Sequence, residues 1–195
     1  MLHRKIPIKE GPDILQWGHS TSGIFSVSEA YYLQGNYQNQ IPETIWSKVW
    51  QPILWPKISF FLWLTAKNRI LTWDKLLKKG FIGPSRCTLC QQSEETMEHL
   101  LNNCHYNQQI WDWGAQAMRR SQRNRGSIRD TLANWETISF QNTILWRIWQ
   151  LLPGFTLWTI WKERNKRIFH SKPSPTTITW ERVKRLIRET VHSKS

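Results

Sequence analysis

Apolar positions along most of the chain recur at helical spacing. In residues 44–52, Trp46, Val49 and Trp50 fall at i, i+3 and i+4 on one face, with Thr44 placed to cap the turn and Pro52 to end it. Beyond Pro56 the run 58–66 is apolar almost all round (Phe60, Phe61, Leu62, Trp63, Leu64), which predicts a helix central to the core. Thr72 opens a further helix with Trp73, Leu76 and Leu77 inward, Lys75, Lys78 and Lys79 outward, and Gly80 as its stop. Tyr106, Ile110, Trp113 and Ala117 mark another, and residues 128–135 form a short amphipathic one. Ile144, Ile148 and Leu151 before Pro153, and Leu157, Ile160 and Trp161 after it, predict two buried helical pieces meeting at Pro153-Gly154. A last helix over 177–191 sets Ile178, Val183, Leu186 and Ile187 against Arg182, Lys184, Arg185 and Arg188. Only the start reads differently. Residues 13–17 and 23–27 look extended around the polar stretch 18–22 and predict a small β-hairpin, with a helical pattern from Ser26 to the stop at Gly35-Asn36.

The expected fold is therefore mainly α, a small helical domain with a short N-terminal β-hairpin, followed by a basic helical C-terminal region. Boundaries follow composition: 14–118 as the first domain, 119–127 as a basic linker containing Gly126, and 128–195 as a tryptophan-rich helical region. Fourteen tryptophans in 195 residues add a means of holding helices together, because each buried indole covers roughly 200 Å². Among them, Trp46, Trp50, Trp63, Trp111 and Trp113 read as core and Trp180 is left open. The apolar stretch 144–161 contains Arg147, Gln150, Pro153 and Gly154, so it reads as buried helix and not as a membrane span. The basic, polar start lacks the apolar region of a secretory signal, and three cysteines cannot all pair within one chain, so the expected setting is intracellular, nuclear or cytoplasmic.

Charge changes the picture next. The net charge is +13, and it is unevenly placed: residues 1–104 hold 11 basic and 8 acidic side chains, residues 105–195 hold 16 and 6. A positive potential concentrated in the second half points to a polyanionic partner, RNA or DNA, recruited by counterion release. Candidate contacts are Arg119, Arg120, Arg123 and Arg125 in the linker, and Lys162, Arg164, Lys166 and Arg167 after the tryptophan-rich stretch, with Asn165 beside them. Neither a membrane nor a small-molecule substrate is expected. Asp13, Asp74, Asp112 and Asp130 are isolated, and no glycine-rich phosphate loop is present, so nothing in the pattern supports catalysis.

The most specific signal is Cys87-x2-Cys90-x8-His99-x4-Cys104. All three cysteines fall within 18 residues. Two residues between thiols let one tight turn present both sulfurs to an ion, and the second pair returns to complete a closed tetrahedron of three sulfurs and one nitrogen. Soft thiolates with imidazole select zinc over magnesium or calcium, and four protein ligands leave no position for a catalytic water. His105 is the one substitute for His99. Thr96 is placed to cap the turn carrying His99, Leu100 or Leu101 points to the core, and Glu95 or Glu98 is placed to orient the imidazole.

Gly23-Ile24-Phe25-Ser26-Val27-Ser28-Glu29-Ala30-Tyr31, Trp46-x3-Trp50, Pro56-Lys57-Ile58-Ser59-Phe60-Phe61-Leu62-Trp63, Leu71-Thr72, the stretch from Leu76 to Gly80, the cysteine pair, and Glu95-Thr96-x2-His99-Leu100-Leu101 with Cys104 occur in a fixed order. In that order they resemble the zinc-binding domain downstream of the reverse transcriptase in plant non-LTR (LINE-type) retroelements. The stretch from Trp158-x2-Trp161-Lys162-Glu163-Arg164-Asn165 to Phe169 is similar to the segment that often follows that domain, so the resemblance spans about residues 14–170. It implies a zinc-binding module contacting the element's RNA or target DNA beside a polymerase, with Cys87, Cys90, His99 and Cys104 as ligands. No polymerase or nuclease residues carry over. The competing expectation is a zinc-stabilised protein-interaction scaffold, or a decayed fragment, with no nucleic-acid contact. Salt dependence of binding separates the two.

Overall fold

The computed structural model describes residues 23–27, 41, 43–119, 126–133, 135 and 141–193. The chain divides into residues 1–40 and 41–195. In the first unit only 23–27 are described. Gly23 has φ +70°, outside the extended range, and Val27 is already helical. The expected hairpin therefore fails in its second arm, because the backbone leaves the β region at both ends of it. Residues 13–22, the first arm and turn, and residues 28–40 lie outside the described residues. No strand occurs among those described, only one isolated bridge between Arg86 and Glu94.

The second unit is built from helices α1 (Glu43–Val49), α2 (Pro56–Ala66), α3 (Trp73–Leu77), a π-helical turn (His99–Asn103), α4 (His105–Ala117), α5 (Ile128–Ala133), α6 (Thr143–His170) and α7 (Thr176–Ser193). The long α6 is central: α2, α4, α7 and the π-turn all pack on it. Its start is fixed by Asn142, whose side chain accepts hydrogen bonds from the Ile144 and Leu145 amides at 2.8 and 3.2 Å. Its end comes at Ser171, which turns left-handed at φ 50°.

Where the sequence predicts two pieces, α6 is one helix running through Pro153. Proline has no N–H to offer the carbonyl four residues back, here that of Trp149. The indole Nε1 of Trp135 donates to that carbonyl at 3.0 Å, and its ring stacks on Trp149 with centroids 4.5 Å apart. The side chain of a residue outside the helix thus replaces the missing backbone donor. At Gly154 the helix comes so near α2 and the turn before it that an added Cβ would lie 3.2 Å from Leu54 and 3.4 Å from Leu62. Trp135→Phe keeps the stacking and removes the donor, so it is expected to cost about 1–3 kcal/mol, measured as a shift in the urea midpoint. The cost should shrink in a Pro153→Ala background, where the helix regains its own N–H. Equal costs in both backgrounds would refute this account of α6.

Aromatic rings bind α2 to α6. Trp55 meets Phe155 edge-on at 5.7 Å, and Phe61 sits between Trp158 at 5.4 Å and Trp161 at 6.0 Å. Trp111 is buried as expected, and Trp46, Trp63 and Trp180 pack half-buried against the core. Several inward assignments are corrected. Ile144 is 54 % exposed in the first turn of α6 and Ala117 is exposed in the last turn of α4, both beyond the stretch of helix that is packed. Trp50 is 53 % exposed because Ile45, not Trp50, shares the buried face with Val49, and Phe60 lies outward on α2 because its opposite side supplies Ile58, Phe61 and Leu62. Leu77 is exposed at the end of a five-residue helix, and Ile178 is exposed because Thr179, Val183 and Ile187 form the inner face of α7.

The short α5 starts with a reciprocal cap. Asp130 accepts from the Ser127 amide at 2.9 Å and its own amide donates to the Ser127 hydroxyl at 3.1 Å. The Ser127 hydroxyl first, and its amide second, hold the Asp130 carboxyl below its usual range. This stabilisation is therefore present above the ordinary carboxylate pKa and is lost as pH falls through the lowered one.

Candidate metal centre

Two local devices converge on one point. The first is the turn of Cys87 to Cys90, closed by Gln91 N–H donating to the Cys87 carbonyl at 2.7 Å and by the Cys87 amide donating to Ser93 O at 2.8 Å. Gln91 takes the left-handed conformation, φ 57°, that lets the chain reverse immediately after the second thiol. The second is the π-turn. Its wide ring is closed by the Cys104 amide donating to the His99 carbonyl at 2.8 Å, so a spacer of four residues spans one such turn between the two ligand positions.

Side chains stabilise this uncommon turn. Thr96 Oγ1 accepts from the His99 amide at 3.0 Å, the cap the sequence predicts. Asn107 donates to the Leu100 carbonyl, and Trp111 Nε1 donates to the Leu101 carbonyl at 3.3 Å. Asn102 Nδ2 donates to Gly126 O at 2.6 Å and to Glu98 at 3.0 Å. Leu100 and Leu101 both anchor in the core at 0 % exposure.

The Sγ atoms of Cys87, Cys90 and Cys104 and a ring nitrogen of His99 all lie within 4.8 Å of one another. Cys87 and Cys104 sulfurs are 4.0 Å apart, and Cys90 Sγ is 3.2 Å from His99 Nε2. Zinc bonds of about 2.3 Å to sulfur and 2.0 Å to nitrogen imply tetrahedral edges of roughly 3.5–3.8 Å, so the donor set fits one zinc ion. His105, at the start of α4, is exposed and outside the cluster. The hydrogen bond between Cys87 and Cys104 holds the Cys87 thiol low and pushes Cys104 up, with burial also raising Cys104. A divalent cation bound here would take the place of the proton the two sulfurs share.

Neither glutamate orients the imidazole. Glu98 accepts from Asn102 and from the Ile128 amide at 2.8 Å, tying the π-turn to α5. Glu95 is 2 % exposed and accepts from the Trp73 amide at 3.0 Å and from Arg164 Nε at 3.1 and 3.2 Å. That buried pair joins the metal segment to α6 across 69 residues of sequence.

The predicted nucleic-acid contacts separate into distinct groups. Arg120, Arg123 and Arg125 lie outside the described residues, and Arg119 is exposed beyond α4. Lys162 is exposed, with Nζ 6.0 Å from the Trp158 ring. Lys166 Nζ donates to Ser174 Oγ at 2.9 Å. Arg164, at 4 % exposure, is turned inward by Glu95 and is not a surface group. Arg167 donates to the Thr88 and Leu89 carbonyls at 3.1 and 3.0 Å and to Ser174 O at 2.8 Å, so it clamps the cysteine turn onto α6. Its guanidinium also covers the Tyr106 ring at 4.6 Å. Burial pushes the Tyr106 phenol up, keeping its proton available for donation to Ser174 O at 2.8 Å. Glu163, fully buried, accepts from Arg167, Arg182 and the Ser174 amide.

Residues 25–111 match the protein family described as zinc-binding in reverse transcriptase. An Arabidopsis thaliana protein named "Putative ribonuclease H protein At1g65750" is 23 % identical over 161 residues, covering 80 % of this chain and 25 % of that protein. The chain thus spans about a quarter of the length of that relative. No solved structure matches. Among the described residues no helix is long and apolar enough to cross a membrane.

Proposed function

We propose, taking the zinc-binding in reverse transcriptase region of residues 25–111 as premise, that this chain is a non-catalytic zinc module that binds RNA or DNA through its basic C-terminal half. Cys87, Cys90, His99 and Cys104 would hold the ion, which supplies cross-linking and no reactive chemistry because all four positions are taken by protein. The residues themselves do the rest: the cysteine turn and the π-turn are drawn together, and Arg167 and Glu95 fasten that assembly to α6.

The observation that carries the nucleic-acid reading is the charge left after internal pairing. Glu163 and Glu95 are buried and saturated by arginines, whereas Lys162, Lys172 and Arg188 stand exposed along α6, α7 and their connection, and Arg185, also exposed, has only the surface carboxylate of Glu189 at 3.7 Å. Cations in that state exchange their counterions for phosphates. A second reading, protein docking, is favoured by Phe81 and Ile82, 57 % and 99 % exposed on the loop that enters the cysteine segment. Binding of labelled oligonucleotides measured across a salt series decides between them. Affinity that falls steeply with salt is expected; no binding at low salt, or binding indifferent to salt, would favour the docking surface.

A further inference from the structure

The connection between α6 and α7 is held shut. The Ser174 carbonyl accepts from Tyr106 and Arg167, its amide donates to Glu163 at 2.6 Å, and its hydroxyl accepts from Lys166 and from Arg182 at 3.1 Å. Two helices joined by five residues and packed along their length form an antiparallel pair, and the locked connection fixes the groove beside it. That groove has a volume of about 760 Å³.

Its lining is markedly one-sided. Lys162, Lys166, Lys172, Arg182 and Arg185 face it; the one acid in the lining, Glu163, is already engaged by Arg167 and Arg182, and Arg185 has a solvent-exposed partner in Glu189 at 3.7 Å. Arg167 and Arg182 share the single charge of Glu163, and Lys166 rests on the neutral Ser174 hydroxyl, an arrangement that leaves positive charge uncompensated. On the groove wall stands Phe169, 71 % exposed. A phenyl standing among lysines and arginines puts a flat apolar face beside positive charge, a pairing that suits a ligand carrying both anions and flat rings.

We infer that this groove is a binding site for single-stranded polynucleotide, with the cations following the phosphates and Phe169 stacking on an unpaired base. The inference rests on the nucleic-acid reading above and gives it a place and a strand form. A duplex keeps its bases stacked on each other, so Phe169 would have no ring to meet; a single strand offers one at each nucleotide. RNA and DNA share this chemistry.

The test uses the full chain with fluorescein-labelled oligo-U, oligo-dT, a duplex of equal length and polyglutamate. With about five phosphates contacted, single-strand affinity is expected to fall roughly a hundredfold between 50 and 200 mM salt. Replacing Lys162, Lys172 and Arg185 together by Gln should lower the slope by about two, and Phe169→Ala should cost about tenfold with the slope unchanged, Phe169→Trp restoring it. All four side chains are exposed, so circular dichroism and zinc content should match the parent. Single-strand binding by the parent that none of these substitutions alters would overturn the groove while leaving nucleic-acid binding intact. Equal affinity for duplex or polyglutamate with no effect of Phe169→Ala would overturn base stacking. Failure of the parent to bind any polynucleotide would overturn both readings.

Discussion

Cys104→Ser is expected to release the zinc and unfold more than the metal loop. Structural zinc contributes roughly 10–16 kcal/mol apparent in small zinc peptides, against roughly 5–15 kcal/mol for the stability of a whole domain. Cys104 closes the π-turn through its amide and α4 begins at the next residue, so the loss reaches beyond the site. Leu100 and Leu101, inside that turn, are fully buried in the same core as Leu152 and Phe155. Thermal unfolding followed at 222 nm should therefore show a large drop in midpoint for Cys104→Ser, matched by strong chelator acting on the parent protein. Acid should act in the same direction, because protons compete with the ion for thiolate and imidazole. A midpoint indifferent to both cysteine replacement and chelation would mean that packing alone orders the segment.

Glu95→Gln is expected to be the most damaging substitution outside the ligand set, at about 3–5 kcal/mol. It leaves the Arg164 guanidinium charged, 4 % exposed and without its carboxylate, with Trp161 at 5.0 Å as a weak substitute. Most of that cost belongs to the orphaned charge and not to the net strength of the pair. Replacing both residues by methionine should therefore recover much of the loss. Guanidinium denaturation of the parent, the single variant and the double variant measures this. A single variant within about 0.5 kcal/mol of the parent would show that Glu95 and Arg164 do not anchor the metal segment to α6.

The parts of this fold that were legible in sequence are those set by local chemistry. The helices of the second unit follow from periodic apolar residues, and the cap at Thr96 from its place three residues before His99. Ligand spacing brought the four side chains of the proposed metal centre forward without any tertiary information, because each pair is joined by a single turn. What sequence did not carry is contact across distance. Arg164 and Arg167 have the same composition signature as surface cations, and only the fold puts Glu95 beside one and the Thr88 and Leu89 carbonyls beside the other. Pro153 is a helix breaker by every local rule, and its repair by Trp135 depends on a ring 18 residues earlier. Lys172, Arg182 and Arg185 were likewise scattered charges until the α6–α7 pairing gathered them around one groove. The i, i+4 spacing of Glu163 and Arg167 was the one local sign that cations in this stretch had internal partners.

X-ray absorption at the zinc edge of the purified protein probes the ligand set itself. One zinc per chain is expected, with three sulfurs at about 2.3 Å and one nitrogen at about 2.0–2.1 Å, and with a sulfur lost from the shell in Cys90→Ser. A shell of oxygen and nitrogen only, or zinc content and spectrum unchanged when Cys87, Cys90 and Cys104 are replaced in turn, would contradict the assignment of these four residues.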